Sequence, residues 1–260
     1  LPQIVTTSPK PEKPDFINAR ERLIVALDVA SADEARRIVS ELAGAVGAFK
    51  IGLRLFTSAG PAFVRELVSA GEKIFLDLKF HDIPNTVATA AVEAALLGVW
   101  MLNVHCLGGR EMMKRTAEAI AEVCERENLQ RPLVIGVTLL TSMDSIALEE
   151  IGMGNDLDDG VLRLARLAAD SGLDGVVASA KEARPIRSTV NRDSFVIVTP
   201  GIRPLNATVD DQKRVLTPAE ATLSGSDYLV VGRPILTAKD RKEAVIGIIG
   251  DIQRALEEQI

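Results

Sequence analysis

A chain of 260 residues, 47% apolar and 25% charged, can bury a substantial core, and an α/β barrel of this length is commonly one domain. The formal net charge of -6 and the lack of a Lys/Arg run disfavour nucleic-acid binding through a broad basic surface, while a small anion needs only local positive charge. Cys106 and Cys124 make no disulfide framework, and no apolar stretch reaches the roughly 18 residues of a membrane span, so a cytoplasmic protein without membrane contact is expected.

Residues 1–15, with Pro2, Pro9, Pro11 and Pro14, do not pack as a regular element and resemble no signal peptide. They are expected to form a flexible extension, leaving residues 16–260 as a single catalytic domain. The first strand, residues 23–28, puts Asp28 on the face of Ile24 and Ala26, with Leu23, Val25 and Leu27 on an opposite apolar face. A helix over residues 32–43 follows, with Ser31 placed to cap it and Gly44 to end it. The second strand, residues 48–52, carries Lys50. Phe63, Val64, Leu67 and Val68 then form a helical stripe ending at Gly71.

The third strand leads into Asp77, Leu78, Lys79, Phe80, His81, Asp82 and Ile83. Alternation places Phe75, Asp77 and Lys79 on one face and Ile74, Leu76 and Leu78 on the other. Strands buried on both faces that end in ionisable residues fit a parallel sheet with helices outside and an active site at its carboxyl edge. The alternative is a set of structural ion pairs capping a barrel mouth.

Strand and helix continue to alternate: helix 84–97 closed by Gly98, strand 99–105, helix 109–128, strand 133–137, helix 160–170, strand 174–177, helix 181–188, strand 195–198, a short helix from Pro218, strand 228–231, and a closing helix through Val245, Ile249, Ile252 and Leu256. Eight βα units with short connections argue for a (β/α)8 TIM barrel over an open doubly wound sheet. Two connections are long, residues 138–158 and 201–216, and both lie on the carboxyl side, where long loops commonly act as lids.

His81 and His105 are the only histidines, and neither has metal-ligand spacing. Asp28, Asp77 and Asp82 could hold Mg²⁺, but Lys50 and Lys79 between them would repel it, so no metal is expected. Carboxylates interleaved with ammonium groups can hold Lys79 beside a reacting carbon, to stabilise a developing carbanion and then deliver a proton. A Schiff-base role needs a neutral lysine in an apolar pocket and is disfavoured. Gly232-Arg233-Pro234 after the eighth strand suggests a phosphate site, with Arg203 on the seventh loop adding charge.

Leu27-Asp28, the run from Asp77 through Pro84, Asn85 and Thr86, the run from Val198 through Pro200, Gly201, Ile202, Arg203 and Pro204, and Val231 to Pro234 together resemble the bacterial orotidine 5′-phosphate decarboxylase family, from about residue 22 to the end. Asp-x-Lys-x-x-Asp alone is shared with relatives that do other reactions; joined to Lys50, Ile-Pro-Asn-Thr and the two Arg motifs in order, it is specific.

The resemblance implies a (β/α)8 homodimer that converts orotidine 5′-monophosphate (OMP) to uridine 5′-monophosphate (UMP) and CO2 without cofactor, the last step of UMP synthesis. It implies that Asp28 and Lys50 bind ribose, that Lys79 protonates C6, and that Asp77 lies beside the substrate carboxylate. It further implies that Asp82 and Thr86 reach into the neighbouring subunit's site and that Thr141 meets the pyrimidine. Arg203, Gln212, Gly232 and Arg233 are implied to gather the phosphate. The alternatives are a sugar-phosphate decarboxylase or aldol enzyme of the same barrel type, which resembles this chain in Asp-x-Lys-x-x-Asp but binds Mg²⁺ through a carboxylate where this chain has Lys50, and a non-catalytic phosphate-binding barrel.

Overall fold

The computed structural model describes residues 18–204 and 216–259. Eight parallel strands close into a barrel in sequential order: β1 (Leu23–Ala26), β2 (Ala48–Gly52), β3 (Ile74–Phe80), β4 (Met101–His105), β5 (Leu133–Val137), β6 (Gly175–Val177), β7 (Val196–Pro200) and β8 (Tyr228–Val231), with β8 pairing back to β1. The helices that alternate with them are α1 (Ala32–Leu42), α2 (Leu53–Ser69), α3 (Pro84–Leu96), α4 (Gly109–Arg126), α5 (Ser145–Glu150), α6 (Leu157–Asp170), α7 (Ala180–Val190), α8 (Pro218–Leu223), α9 (Arg233–Leu236) and α10 (Arg241–Glu257). A 3-10 turn at Cys106–Gly108 precedes α4.

The period-two reading of the strands separates two apolar layers. Ile24, Ala26, Ala48, Phe75, Met101, Ile135, Val198 and Val230 fill the barrel interior. Leu23, Val25, Leu27, Ile51, Leu76, Leu102 and Val104 face the helices, where they meet Ile38, Leu42, Phe63, Leu67, Ala91 and Ile120. Both layers are removed from water, so a polar side chain placed in either without a partner is costly. Tyr228 closes the amino end of the interior with its ring 5.1 Å from that of Trp100, edge to face. At Gly175 the β6 and β7 backbones approach so closely that a Cβ would stand 2.1 Å from the Val196 carbonyl oxygen, a position only glycine fills.

Helix ends follow local chemistry. Ser31 caps α1 by accepting the Glu34 N–H at 3.3 Å, and Gly44, at φ +71°, lets the chain leave it. Thr217 and Glu220 form a capping box on α8, with Pro218 at its first position.

Several boundaries differ from the sequence expectation. The α2 segment begins at Leu53, ahead of the stripe, and Gly60, at a non-helical φ of +71°, divides it into a first helical stretch and the one that carries the stripe from Pro61. The 138–158 connection holds α5, capped by Asp144, and α6 starts at Leu157 in place of 160. After β8, where the sequence suggests only a phosphate site, the chain forms the one-turn helix α9, begun by Gly232 with Pro234 in its first turn. The alternation along β3 is broken past Asp77: pairing runs Leu76 to Leu102 and then Phe80 to Val104, and Lys79 takes a left-handed φ of +52°. The expected extension at 1–15 and residues 205–215 of the long 201–216 connection lie outside the described residues.

Candidate active site

The carboxyl ends of the strands surround a cavity of about 290 Å³ lined by Asp28, Lys50, Asp77, Lys79, Thr141, Arg203, Gly232 and Arg233, together with apolar groups that include Val137, Leu139, Val177 and Val198. β2 and β3 each deliver a charged group one step above an interior apolar residue, Ala48 then Lys50 and Phe75 then Asp77, and β8 leads in the same way from Val230 to Gly232. The single chain therefore brings together most of the residues singled out in the sequence.

Asp77 is the centre of the charged group. Its Oδ1 accepts from Lys79 Nζ at 2.6 Å and from Asn103 Nδ2 at 2.7 Å, while Lys50 Nζ stands 3.1 Å from Oδ2. Lys50 in turn donates to Asp28 Oδ1 at 3.2 Å. Lys50 and Asp77 are each only 8% exposed. Burial alone pulls the Lys50 ammonium below its ordinary pKa, but the Asp77 and Asp28 carboxylates outweigh it and leave the pKa raised. Burial would push Asp77 up; Lys50, Lys79 and the Asn103 hydrogen bond together hold it below the usual carboxylate range. Lys50 and Asp77 thus keep their opposite charges side by side, with the Lys79 side chain on the same carboxylate.

Lys79 reaches this position through an irregular backbone. Two extra residues in β3, set against β4, leave the Lys79 N–H out of the ladder, and it donates instead to Asn103 Oδ1 at 2.8 Å. A left-handed conformation costs a non-glycine residue about 1–3 kcal/mol and persists where surrounding contacts fix it. Just beyond, the His81 and His105 rings pack with centroids 5.3 Å apart. Burial lowers the His105 pKa, with His81 and Lys79 adding in the same direction. Among the described residues no three His, Cys, Asp or Glu side chains converge in a way that could hold a metal ion.

Charged residues at the opposite end of the barrel behave differently. Asp174 pairs with Arg131 at 2.8 Å and accepts the Val134 N–H at 2.8 Å, and Asp227 pairs with Arg187 and accepts the Ile197 N–H at 2.7 Å. Those carboxylates tie backbone ends together, as structural ion pairs do. The Asp77 array borders open volume instead, which is the arrangement a ligand site needs.

On the other side of the cavity, Arg203 is 8% exposed and its N–H donates to the Leu216 carbonyl at 3.1 Å, anchoring the base of the long seventh connection. Gly232 allows close approach of the backbone: a Cβ there would lie 3.4 Å from the Ala26 Cβ and 3.5 Å from Asp28 Oδ2. Arg203, after β7, and Arg233, after β8, add two guanidinium-bearing residues to the cavity lining, with β7 lying across the barrel from β3 and its Lys79.

Asp82 and Thr86 do not join the cavity. Both are exposed, beside Ile83 at 67% exposure, and the Asp82 carboxylate accepts the Ile83 N–H at 2.6 Å. Gln212 lies outside the described residues. Asn103, fully buried between Asp77 and Lys79, was not singled out by sequence, although its place two residues after Met101 marks it as an inward-facing polar residue at the level of Asp77.

A closed parallel barrel with a charged lysine and aspartate group at its carboxyl edge, facing two arginines across one cavity, has the construction of a (β/α)8 enzyme acting on an anionic small molecule. Residues 21–248 match the model of the Orotidine 5′-phosphate decarboxylase / HUMPS family, and the chain belongs to that family. It is 51% identical over 243 residues to the orotidine 5′-phosphate decarboxylase of Syntrophotalea carbinolica, covering 94% of this chain and 99% of that protein. It is 49% identical over 233 residues to that of Nitrosococcus oceani, covering 90% and 98%. Among solved structures, the orotidine 5′-phosphate decarboxylase of Lactobacillus acidophilus superimposes with a TM-score of 0.79 at 37% identity, covering 88% of this chain and 98% of the other.

Proposed function

We propose that the chain decarboxylates OMP to UMP and CO2 in UMP synthesis, with Lys79 as the proton donor. The observation that carries the reading is the Lys50, Asp77, Lys79 array bordering a cavity with Arg203 and Arg233 on its far wall, in a chain about half identical to proteins of that name. The arginines and the backbone at Gly232 bind the phosphate, which sets the pyrimidine toward the lysines. Thr141 meets the base, and Asp28 and Lys50 bind the ribose.

In the reaction the bond between C6 and its carboxylate carbon breaks, CO2 departs, and the electron pair stays on C6. That pair occupies an sp² orbital with no conjugated sink, so a fixed cation beside it is the stabilising group required. Lys79 supplies the cation and then its proton, which forms the C6–H bond of UMP; solvent reprotonates the amine. Asp77 lies beside the departing carboxylate and holds Lys79 in place. Binding energy from the remote phosphate is used at the reacting carbon. None of these steps draws on a metal or an organic cofactor.

The same reading makes the protein a cytoplasmic homodimer in which each chain's Asp82 and Thr86 complete the other chain's cavity. Their exposure outside their own cavity, beside the exposed Ile83, supports it. No helix among the described residues is long and apolar enough to cross a membrane. The test is turnover of OMP by the purified chain in excess chelator, followed by UMP formation and CO2 release. Full activity is expected; activity abolished by EDTA and restored by Mg²⁺ would favour the sugar-phosphate enzymes of the same barrel type.

A further inference from the structure

We infer that Asn103 is a positioning residue for this reaction: its side-chain amide clamps the Asp77 carboxylate and the left-handed backbone of Lys79 at once, and so sets where the Lys79 ammonium stands. The inference rests on the decarboxylase reading above. Asn103 is fully buried on β4, where its Nδ2 donates to Asp77 Oδ1 at 2.7 Å and its Oδ1 accepts the Lys79 N–H at 2.8 Å. These two bonds cross the irregular stretch where β3 leaves its register with β4. Without the amide, the Lys79 N–H loses the acceptor that replaces its missing ladder partner, and Asp77 loses the one neutral donor that orients it between two ammonium groups.

Geometry makes asparagine the suitable residue. One planar amide supplies a donor and an acceptor on adjacent atoms, which matches a carboxylate on one side and an N–H on the other. An aspartate offers two acceptors when ionised, and a leucine of the same shape offers neither. The clamp touches no part of the cavity's far wall, so its loss should act on the chemical step more than on nucleotide binding.

Asp77 and Lys79 from β3 bond this amide directly; around that pair stand Lys50 from β2 on the Asp77 carboxylate, Asp28 on Lys50, and His105, which feels Lys79 and Asp77 and packs against His81. In Asn103→Asp the introduced carboxyl meets the Asp77 carboxylate, and like charges that close raise the pKa of one member despite the two lysines. While that member is protonated, its O–H donates to Asp77 and its carbonyl accepts the Lys79 N–H, so the clamp survives. As pH rises and the proton leaves, the donor is lost and a second anion competes for Lys79. Activity of Asn103→Asp relative to wild type is therefore expected to fall with rising pH.

The experiment is steady-state OMP decarboxylation by wild type, Asn103→Leu and Asn103→Asp across pH, with UMP affinity, thermal melts and hydrogen exchange at the Lys79 amide. Asn103→Leu should lose about 10²-fold in kcat, with KM and UMP affinity within about threefold of wild type and the Lys79 amide exchanging faster. Should Asn103→Leu fail to fold, the pH profile of Asn103→Asp decides. Asn103→Leu with near wild-type kcat, or an Asn103→Asp activity ratio flat with pH, overturns the inference while wild-type turnover stands. A wild-type chain that leaves OMP untouched refutes the reaction instead, and unchanged Lys79 amide exchange in Asn103→Leu would then refute the clamp on its own.

Discussion

Lys79 Nζ stands 2.6 Å from Asp77 Oδ1, with only Leu78 between the two residues along β3. The strand's alternation is broken past Asp77, so this contact comes from the irregular backbone at the left-handed Lys79 and not from strand parity. The ammonium is therefore held by its own strand, and Lys50 holds the same carboxylate from β2 at 3.1 Å.

This sharing has a stability signature. The lowered Asp77 pKa adds stability that is present above the unfolded-state value and lost as pH falls through the still lower folded value. The raised Lys50 pKa adds stability that is present below the unfolded-state value and lost as pH climbs through the folded one. Lys50→Met should thus be less stable than wild type by about 1–3 kcal/mol near neutrality. Thermal melts should show that gap flat from about pH 5 to pH 9 and closing above it. A gap that widens at alkaline pH would contradict the assignment of Lys50 as a buried ammonium.

Arg233 and Arg203 both line the cavity that holds Lys50 and Lys79. Arg233→Ala should weaken UMP binding roughly 10–100-fold by removing charge-assisted hydrogen bonds, while uridine affinity barely changes. Calorimetric titration of both ligands checks this; equal weakening of nucleoside and nucleotide would move the phosphate elsewhere.

Asp82 offers a test of assembly. Lys79→Ala and Asp82→Ala homodimers should each be severely impaired, and mixing after dissociation should restore activity. In the mixed dimer one site collects both defects, while the other has Lys79 and Asp82 intact. A verified heterodimer without activity would put Asp82 in its own chain's site.

The barrel was legible because parallel strands in a two-layered core obey one rule throughout. Ile24 and Ala26 lead to Asp28, Ala48 leads to Lys50, and Phe75 leads to Asp77, so parity alone placed these groups at the cavity. Parity fails where the backbone departs from it. Nothing in Leu78-Lys79-Phe80 marks a left-handed residue, since the usual glycine or asparagine is absent and a tertiary contact with Asn103 supplies the support. Asn103 itself was passed over as one polar residue in a strand, because its importance depends on two partners from β3. The Gly232-Arg233-Pro234 stretch hides α9, since four residues carry no periodic pattern, and the stripe from Phe63 does not reveal the helical stretch that precedes Gly60. The roles proposed for Asp82 and Thr86 call for a second chain, which no strand pattern encodes.

The most direct test of the central claim is Lys79→Ala. UMP formation, UMP binding and far-UV circular dichroism should be measured on wild type and variant together. Because Lys79 borders the cavity and not the packed layers, the variant should keep its fold and bind UMP, yet lose at least about 10³-fold in turnover, the scale of a proton donor that also stabilises the developing charge. Near wild-type turnover by a folded Lys79→Ala chain would contradict the account.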